Sequence, residues 1–278
     1  MEAHSFFDLK NKTAIVTGGG NGIGKGACET MAAFGANIVV SDLKLEDAEK
    51  VRDEIIANGG KAIAVACNVT KDEDLQAVVK AATDEFGSIE ILVNNAGGGG
   101  GGRENPFKID VDRFKWVFEL NLFSAWRLSQ LCAPEMKKAG YGSIINITSM
   151  GSINKSPNMS AYASSKAAMN HMSANLAHDY GPFGIRVNCV CPGDVDTPML
   201  TGILSSNVVH VEHAAEPGEP PAVVRTSPRR PRQDVGYDVR SDDSLPAAKP
   251  QRASTEQHGE RDDQRHGKQP FRAQPVKL

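Results

Sequence analysis

No stretch of this chain comes near the roughly 18 consecutive apolar residues that a membrane-spanning helix needs, so no membrane partner is expected. Its first residues, Met-Glu-Ala-His-Ser-Phe-Phe-Asp, lack a basic segment followed by a long apolar one, and no secretory leader is read there. Charge of one sign is also missing. Lys and Arg total 31 against 34 Asp and Glu, giving a formal net charge of −3 and a pI near 6.2, which argues against nucleic acid or an anionic surface as partner. The five cysteines (Cys28, Cys67, Cys132, Cys189 and Cys191) lack metal-ligand spacing, so no metal is expected. Cys189 and Cys191 are too close in sequence to staple anything. Buried or free thiols in a reducing, cytoplasmic compartment are the expectation.

The chemistry that is present converges on residues 149–166. Gly142 to Thr148 reads as a short buried strand, with Ser149 emerging at its C-terminal end. Tyr162 and Lys166 are four apart, so on a helix they share one face. Ser160 is the expected N-cap of that helix. A hydroxyl at a strand end facing a Tyr/Lys pair can act on a carbonyl or an alcohol.

Upstream, Lys12 to Thr17 is a short apolar run that enters Gly18-Gly19-Gly20-Asn21-Gly22-Ile23-Gly24, followed by a helical pattern from Lys25 to Phe34. Strand, glycine turn and helix N-terminus form an anion site, with free N–H groups and the helix dipole facing a pyrophosphate. A second strand, Asn37 to Ser41, ends at Asp42, 24 residues after Gly18. A carboxylate there accepts ribose hydroxyls and repels a 2′-phosphate, and Asn21 supplies no compensating positive charge, so NAD is favoured over NADP. The alternation continues through a helix (45–58), a strand (62–66), a helix (72–86) and a strand (89–93). It predicts a parallel sheet with right-handed crossovers and helices on both faces, a doubly wound α/β fold.

Cys67-Asn68-Val69-Thr70 closes the third strand, where a side chain reaches adenine. Asn94-Asn95-Ala96-Gly97 closes the fourth. Glycines then run through Gly102, serving either close approach to a ligand or a hinge. Asp110 to about Lys138 reads as one long helix, bent or shortened at Pro134. Asn121 lies within it among apolar neighbours and requires a partner. Trp116 and Trp126 are read as packing or subunit contacts, and His171 and His178 as structural. A sixth strand, Ile185 to Val190, precedes Cys191-Pro192-Gly193-Asp194-Val195-Asp196-Thr197.

In order and spacing, Thr17-Gly18-x-x-x-Gly22-x-Gly24, Asn94-Asn95-Ala96-Gly97, Asn121, Ser149, Tyr162-x-x-x-Lys166 and Pro192-Gly193 resemble the short-chain dehydrogenase/reductase family over residues 12–198. The segments 94–102, 128–136 and 147–166 are most similar to its bacterial NAD-dependent 7α-hydroxysteroid dehydrogenase branch. Asn68 departs from the family, which commonly has Asp at that position.

The resemblance implies a Rossmann-type sheet, NAD as cofactor, and hydride transfer to or from a secondary alcohol or ketone of the bile-acid kind. A 3-oxoacyl or sugar-alcohol reductase is the alternative. It implies Asn121, Ser149, Tyr162 and Lys166 as catalytic residues, with Asn121 ordering a water that connects Lys166 to solvent. Cofactor contacts are implied at Gly18, Asn21, Gly22, Ile23 and Gly24, at Asp42 and Leu43, and at Asn68 and Val69. Further contacts are implied at Asn95, Ala96 and Gly97, at Tyr162 and Lys166, and at Pro192, Gly193, Val195 and Thr197. Val195 and Thr197 would touch the nicotinamide carboxamide. Substrate contacts are expected at Gly99, Ser149, Asn154 and Tyr162. A homo-oligomer is expected, the family form being a tetramer. A phenol of pKa about 10 needs a shift of roughly 3 units to act near neutrality, and one ammonium about 4 Å away is enough. Lys166 is the expected source.

The dinucleotide-binding catalytic domain is read as residues 8–204. From 203 onward only 13 of 76 residues are Leu, Ile, Val or Phe, and 9 of the 15 prolines lie there, which is below what a packed core requires. Residues 205–278 are therefore read as a disordered tail, either translated in a shifted reading frame or otherwise foreign to the fold. The family's substrate-covering helices and seventh strand are not recognisable there, so activity of this chain is expected to be impaired. The cluster Arg229-Arg230-Pro231-Arg232 is interleaved with acids and is read as solvated.

Overall fold

The computed structural model of the chain describes residues 7–99, 104–105, 107–155, 158–199 and 201. The expectations for 205–278 lie outside these residues.

Six strands form one parallel sheet: β1 (Thr13–Thr17), β2 (Asn37–Asp42), β3 (Lys61–Ala66), β4 (Ile91–Asn94), β5 (Gly142–Ile147) and β6 (Ile185–Val190), in the order β3-β2-β1-β4-β5-β6. The order reverses between β1 and β4, so their C-terminal ends open a crevice, which is where ligands bind in open α/β sheets. Among the described residues β6 is paired on one side only, with β5.

Alternation along each strand sends side chains to two cores. Ala14 and Val16 of β1, with Ile38 and Val40 of β2, pack under α1 (Gly22–Ala33) and α2 (Leu45–Ala57), meeting Cys28, Ala48, Val51 and Ile55. Ile15, Val39, Leu92 and Ile144 face the other way. They meet Leu75 and Val78 of α3 (Asp72–Phe86), Leu128, Cys132 and Met136 of α5 (Ser124–Ala139), and Leu176 of α6 (Ser160–Tyr180). Each fully buried Leu or Ile contributes roughly 1.5–3 kcal/mol. The doubly wound parallel architecture is the one the sequence predicts.

Four local expectations need correction. The first helix begins at Gly22, not Lys25, because the last glycines of the turn already form its first turn. The expected single helix over 110–138 is α4 (Val111–Phe118), a π-helical turn (Glu119–Phe123) and then α5. Pro134 lies inside α5, which continues to Ala139. Trp116 and Trp126 are both over two-fifths exposed, so the packing half of their reading does not hold, while the subunit-contact half is compatible with that exposure. His171 and His178 lie on the exposed side of α6.

All five cysteines are free, with Cys28, Cys67 and Cys132 buried. Burial pushes the Cys28 and Cys67 thiols up to about 12 and about 11, so both stay protonated at neutral pH. No helix among the described residues is long and apolar enough to cross a membrane, and no group of three metal-ligating side chains occurs there.

Candidate active site

The glycine turn leaves β1 and enters α1 with one contact that leaves no room for a side chain. A Cβ on Gly24 would lie 2.0 Å from the Gly18 carbonyl oxygen, so the first turn of α1 closes onto the end of β1 only with glycine there. Asn95 locks the turn from the neighbouring strand. Its Nδ2 donates to the carbonyls of Thr17 and Gly18, both at 2.9 Å. Thr17 reciprocates: its Oγ1 accepts from the N–H groups of Asn95 and Ala96 at 3.1 and 3.0 Å. The ends of β1 and β4 are thereby stapled side by side.

The cleft above this staple has a volume of about 550 Å³. Gly18, Asn21, Gly22 and Ile23 line one part of it, Asp42, Leu43, Asn68 and Val69 another, and Asn95, Ala96, Gly97 and Thr197 a third. Gly24 lies beneath the cleft and is buried. Asp42 Oδ2 accepts from the Gly20 N–H at 2.9 Å, which holds the carboxylate at the rim. Asn68 Oδ1 accepts from both the N–H and the hydroxyl of Thr70, at 3.1 and 2.8 Å. Its oxygen is thus engaged within its own turn, and its amide nitrogen is the group available for recognition.

A second part of the cleft continues from the first through Ile23, Asn95, Gly97 and Thr197, and is lined by Ser149, Tyr162, Lys166, Pro192, Gly193 and Val195. Its walls are tied together where the loops after β5 and β6 meet. The Thr148 N–H donates to the Val190 carbonyl and the Met150 N–H to the Pro192 carbonyl, both at 2.8 Å. Ser149 Oγ accepts from the Gly151 N–H at 3.1 Å.

Lys166 is 3 % exposed, and its Nζ donates to the Ile147 carbonyl at 2.8 Å. Burial lowers its pKa to about 8. Tyr162 is half-buried, and burial raises its phenol while a hydrogen bond with Ser149 pulls the other way. Lys166 Nζ sits 5.9 Å from the centre of the Tyr162 ring. The expectation that Lys166 alone lowers the phenol is therefore not met in the protein by itself. Desolvation outweighs the other influences on both groups, and the ammonium is directed at a carbonyl.

Asn121 is completely buried in the π-helical turn and fully partnered. It exchanges hydrogen bonds of 2.9 Å with the N–H and carbonyl of Gly98, and its Nδ2 also donates to Ser165 Oγ at 3.0 Å. A Cβ on Gly97 would meet Asn121 Oδ1 at 2.7 Å and Lys166 Nζ at 3.0 Å, so this backbone runs directly over the lysine. Gly99 borders a separate depression with Glu104, Lys108 and Arg113. Asn154 is exposed outside the cleft lining.

Several residues that shape the site were not assigned to it individually from the sequence. Leu120 and Met199 line the cleft, as do Trp116, read from the sequence as a packing or subunit contact, and Cys67 and Thr70, the ends of the turn read as reaching adenine. Beneath it, Asn94 Nδ2 donates to Asn146 Oδ1 at 2.8 Å, and Asn146 Nδ2 donates to Ser173 Oγ at 2.7 Å, a buried chain from β4 through β5 to α6. Asn146 left a signal, a lone amide in an Ile-rich strand. Ser160 is not the cap of α6. It is the first helical residue, and Met159 occupies the cap position without an acceptor.

A model of the short chain dehydrogenase family matches residues 12–207. The chain is 46% identical over 200 residues to 7α-hydroxysteroid dehydrogenase of Escherichia coli K12, covering 72% of this chain and 77% of that one. It is 34% identical over 218 residues to cyclohexanol dehydrogenase of Acinetobacter sp. strain SE19, covering 78% and 86%. A solved structure of 7α-hydroxysteroid dehydrogenase complexed with NADH and 7-oxo glycochenodeoxycholic acid superposes with a TM-score of 0.69 at 46% identity, covering 73% of this chain and 78% of that one. With the sheet order, the glycine-turn crevice and a Tyr/Lys helix beside Ser149 all in agreement with that match, the chain belongs to the short chain dehydrogenase family of oxidoreductases.

Proposed function

We propose that this chain transfers hydride between NAD and a secondary alcohol or ketone, with a 7α-hydroxysteroid of the bile-acid kind as its substrate. The observation that carries this reading is the convergence of Ser149, Tyr162 and Lys166 on one part of the cleft, in a chain 46% identical to a 7α-hydroxysteroid dehydrogenase.

The residues present fit a dinucleotide. The first turn of α1 carries no acidic residue and no side-chain cap, whereas α2 begins with Glu46 and Asp47 and α3 with Asp72, Glu73 and Asp74. An uncapped helix N-terminus facing a cleft suits a pyrophosphate. Asp42 would take the adenosine ribose hydroxyls, and the Asn68 amide would meet adenine. Val195 and Thr197 would meet the carboxamide. When bound, NAD supplies the hydride acceptor or donor at nicotinamide C4.

The remaining chemistry belongs to the side chains. Tyr162 holds or releases a proton at its phenol oxygen, the general acid for a ketone and the general base for an alcohol. Ser149 donates to the substrate oxygen and steadies developing negative charge. Lys166, tethered to the Ile147 carbonyl, sits where its ammonium stabilises a phenolate once the positive nicotinamide side is occupied. Asn121 holds the Gly98 backbone and, through Ser165, the Tyr/Lys helix. Gly99 and Asn154 remain proposed substrate contacts from loops beside the site.

Turnover of a panel containing 7α-hydroxy bile acids, their 7β and 3α counterparts, cyclohexanol, 3-oxoacyl esters and sugar alcohols tests the substrate. A preference of at least tenfold in kcat/KM for the 7α-hydroxysteroid is expected. Preference for cyclohexanol would favour a small cyclic alcohol instead, the reading supported by the 34% identical cyclohexanol dehydrogenase. NAD binding with no turnover on any member would identify a catalytically impaired relic, as anticipated from residues 205–278.

Cofactor choice has its own test. The Asp42 carboxylate would lie against a 2′-phosphate, so NAD is expected to bind at least tenfold more tightly than NADP. Asp42→Ala should narrow that ratio by about tenfold, read from fluorescence titration of NADH and NADPH. NADPH binding tighter than NADH in the parent chain would refute this role.

A further inference from the structure

We infer that Glu104 is a positioning residue for Tyr162, acting as the N-terminal cap of α6 from a loop more than 50 residues upstream. A helix start leaves its first N–H groups without intrahelical partners, and a local Ser, Thr, Asp or Asn normally accepts from the second or third of them. Here the cap position holds Met159, which has no such acceptor. Glu104 supplies the missing oxygens. Its Oε2 accepts from the Ala161 N–H and from Ser160 Oγ, both at 2.8 Å, and its Oε1 accepts from the Tyr162 N–H at 3.3 Å. The Glu104 N–H donates in turn to the Asn158 carbonyl at 3.0 Å. Asn158 itself has a left-handed backbone, φ 55°, so the turn into α6 is pinned at a conformation asparagine tolerates.

The carboxylate therefore grips the backbone of Tyr162 itself. Its negative charge also faces the positive end of the helix dipole, where an acidic group is stabilising. The same β4–α4 connection is held at Gly98 by Asn121, whose other bond reaches Ser165 on α6. Glu104 thus holds the start of α6 directly, and Gly98 is linked through Asn121 to Ser165, one turn beyond Tyr162. Charged groups around the phenol are Lys166 on its own helix, Glu104 at the helix start, and Asp194, which lines the same part of the cleft.

The activity readout rests on the proposed function, so the decisive measurement does not require turnover. Tyr162 is titrated by phenolate absorbance near 295 nm, each variant being compared with its own Tyr162→Phe counterpart. In the parent chain the midpoint lies above that of a free phenol because of burial. In Glu104→Ala the start of α6 loosens, the ring gains water, and the midpoint is expected to fall by about one pH unit. Glu104→Gln loses the charge but keeps one acceptor oxygen, and should shift by less than half as much. Where turnover is measurable, Glu104→Ala should lower kcat about tenfold, NAD affinity should stay within twofold, and Glu104→Gln should recover most of the loss.

An unchanged midpoint in Glu104→Ala, or equal shifts in the Ala and Gln variants, overturns the inference, the latter because charge alone would then account for the effect. Should Glu104→Ala not fold, Glu104→Asp, one methylene too short for both backbone donors, takes its place with the same expectation. A shifted midpoint in a chain that turns over no alcohol would defeat the proposed function and leave Glu104 in its role.

Discussion

Replacing Tyr162 with Phe is expected to lower kcat for alcohol oxidation by about 10³-fold, within the 10²–10⁴ range that positioned acid–base groups supply. The substitution removes one oxygen and keeps the ring, so packing of the half-buried side chain is preserved. What disappears is the phenol hydroxyl, the group proposed to exchange a proton with the substrate oxygen while Ser149 holds it; Lys166 beside it is bound to the Ile147 carbonyl. Because burial raises the phenol in the protein alone, Tyr162 is protonated at neutral pH. It is ready as an acid for ketone reduction. For oxidation the phenol must first lose its proton, so the oxidation rate should climb with pH across the whole alkaline range while reduction does not. Steady-state rates in both directions between pH 6 and 10 check this, alongside NADH titration to show that cofactor affinity changes by no more than a few-fold. Activity of Tyr162→Phe within tenfold of the parent would remove Tyr162 from its catalytic role.

Lys166→Met should separate function from stability. Turnover is expected to fall at least a hundredfold, because among the described residues no other cation lines this part of the cleft to stabilise a phenolate. Stability should rise. Burial lowers the lysine from 10.5 to about 8, so holding its charged form in the fold costs about 3 kcal/mol at neutral pH, offset in part by its bond to the Ile147 carbonyl. The sign follows from proton counts. Between about pH 8 and 10.5 the unfolded chain binds the lysine proton and the folded chain does not. This group's contribution to stability therefore increases with pH across that window, and its cost is largest below it. The advantage of Lys166→Met over the parent should be greatest at pH 7 and shrink toward zero by about pH 10.5. Urea unfolding of both chains at pH 7 and at pH 9.5 measures it. An advantage that is absent at pH 7, or that grows with pH, would show that Lys166 is not held at a cost. The cysteine and tyrosine groups raised by burial titrate in the opposite sense, which is why the difference between the two chains is the informative quantity.

Both effects start from residues whose identity and spacing were readable in the chain, but whose electrostatics were not. Tyr162 and Lys166 share a helix face by virtue of being four apart, a local property that any sequence displays. Whether the lysine governs the phenol depends on how much water each loses and where the ammonium points. In the fold the ammonium points at the Ile147 carbonyl, at the end of a strand 19 residues upstream.

The alternation of short apolar strands with amphipathic helices determined the doubly wound parallel sheet. Gly18, Gly22, Gly24 and Asp42 announced a dinucleotide crevice. These signals are periodicities and short spacings, so they survive in one dimension. Tertiary structure alone decided what the crossovers bring together. It paired Thr17 with Asn95, some 78 residues apart, to staple the strands that flank the crevice. It inserted a π-helical turn where Asn121 reaches Gly98 and Ser165, and it moved the cap of α6 from the expected Ser160 to Glu104, 57 residues from Ala161. Such partners leave no periodic trace because their separation is set by the lengths of intervening helices and strands. The free energy that selects them, relief of buried N–H, amide and ammonium groups, exists only once the sheet has excluded water.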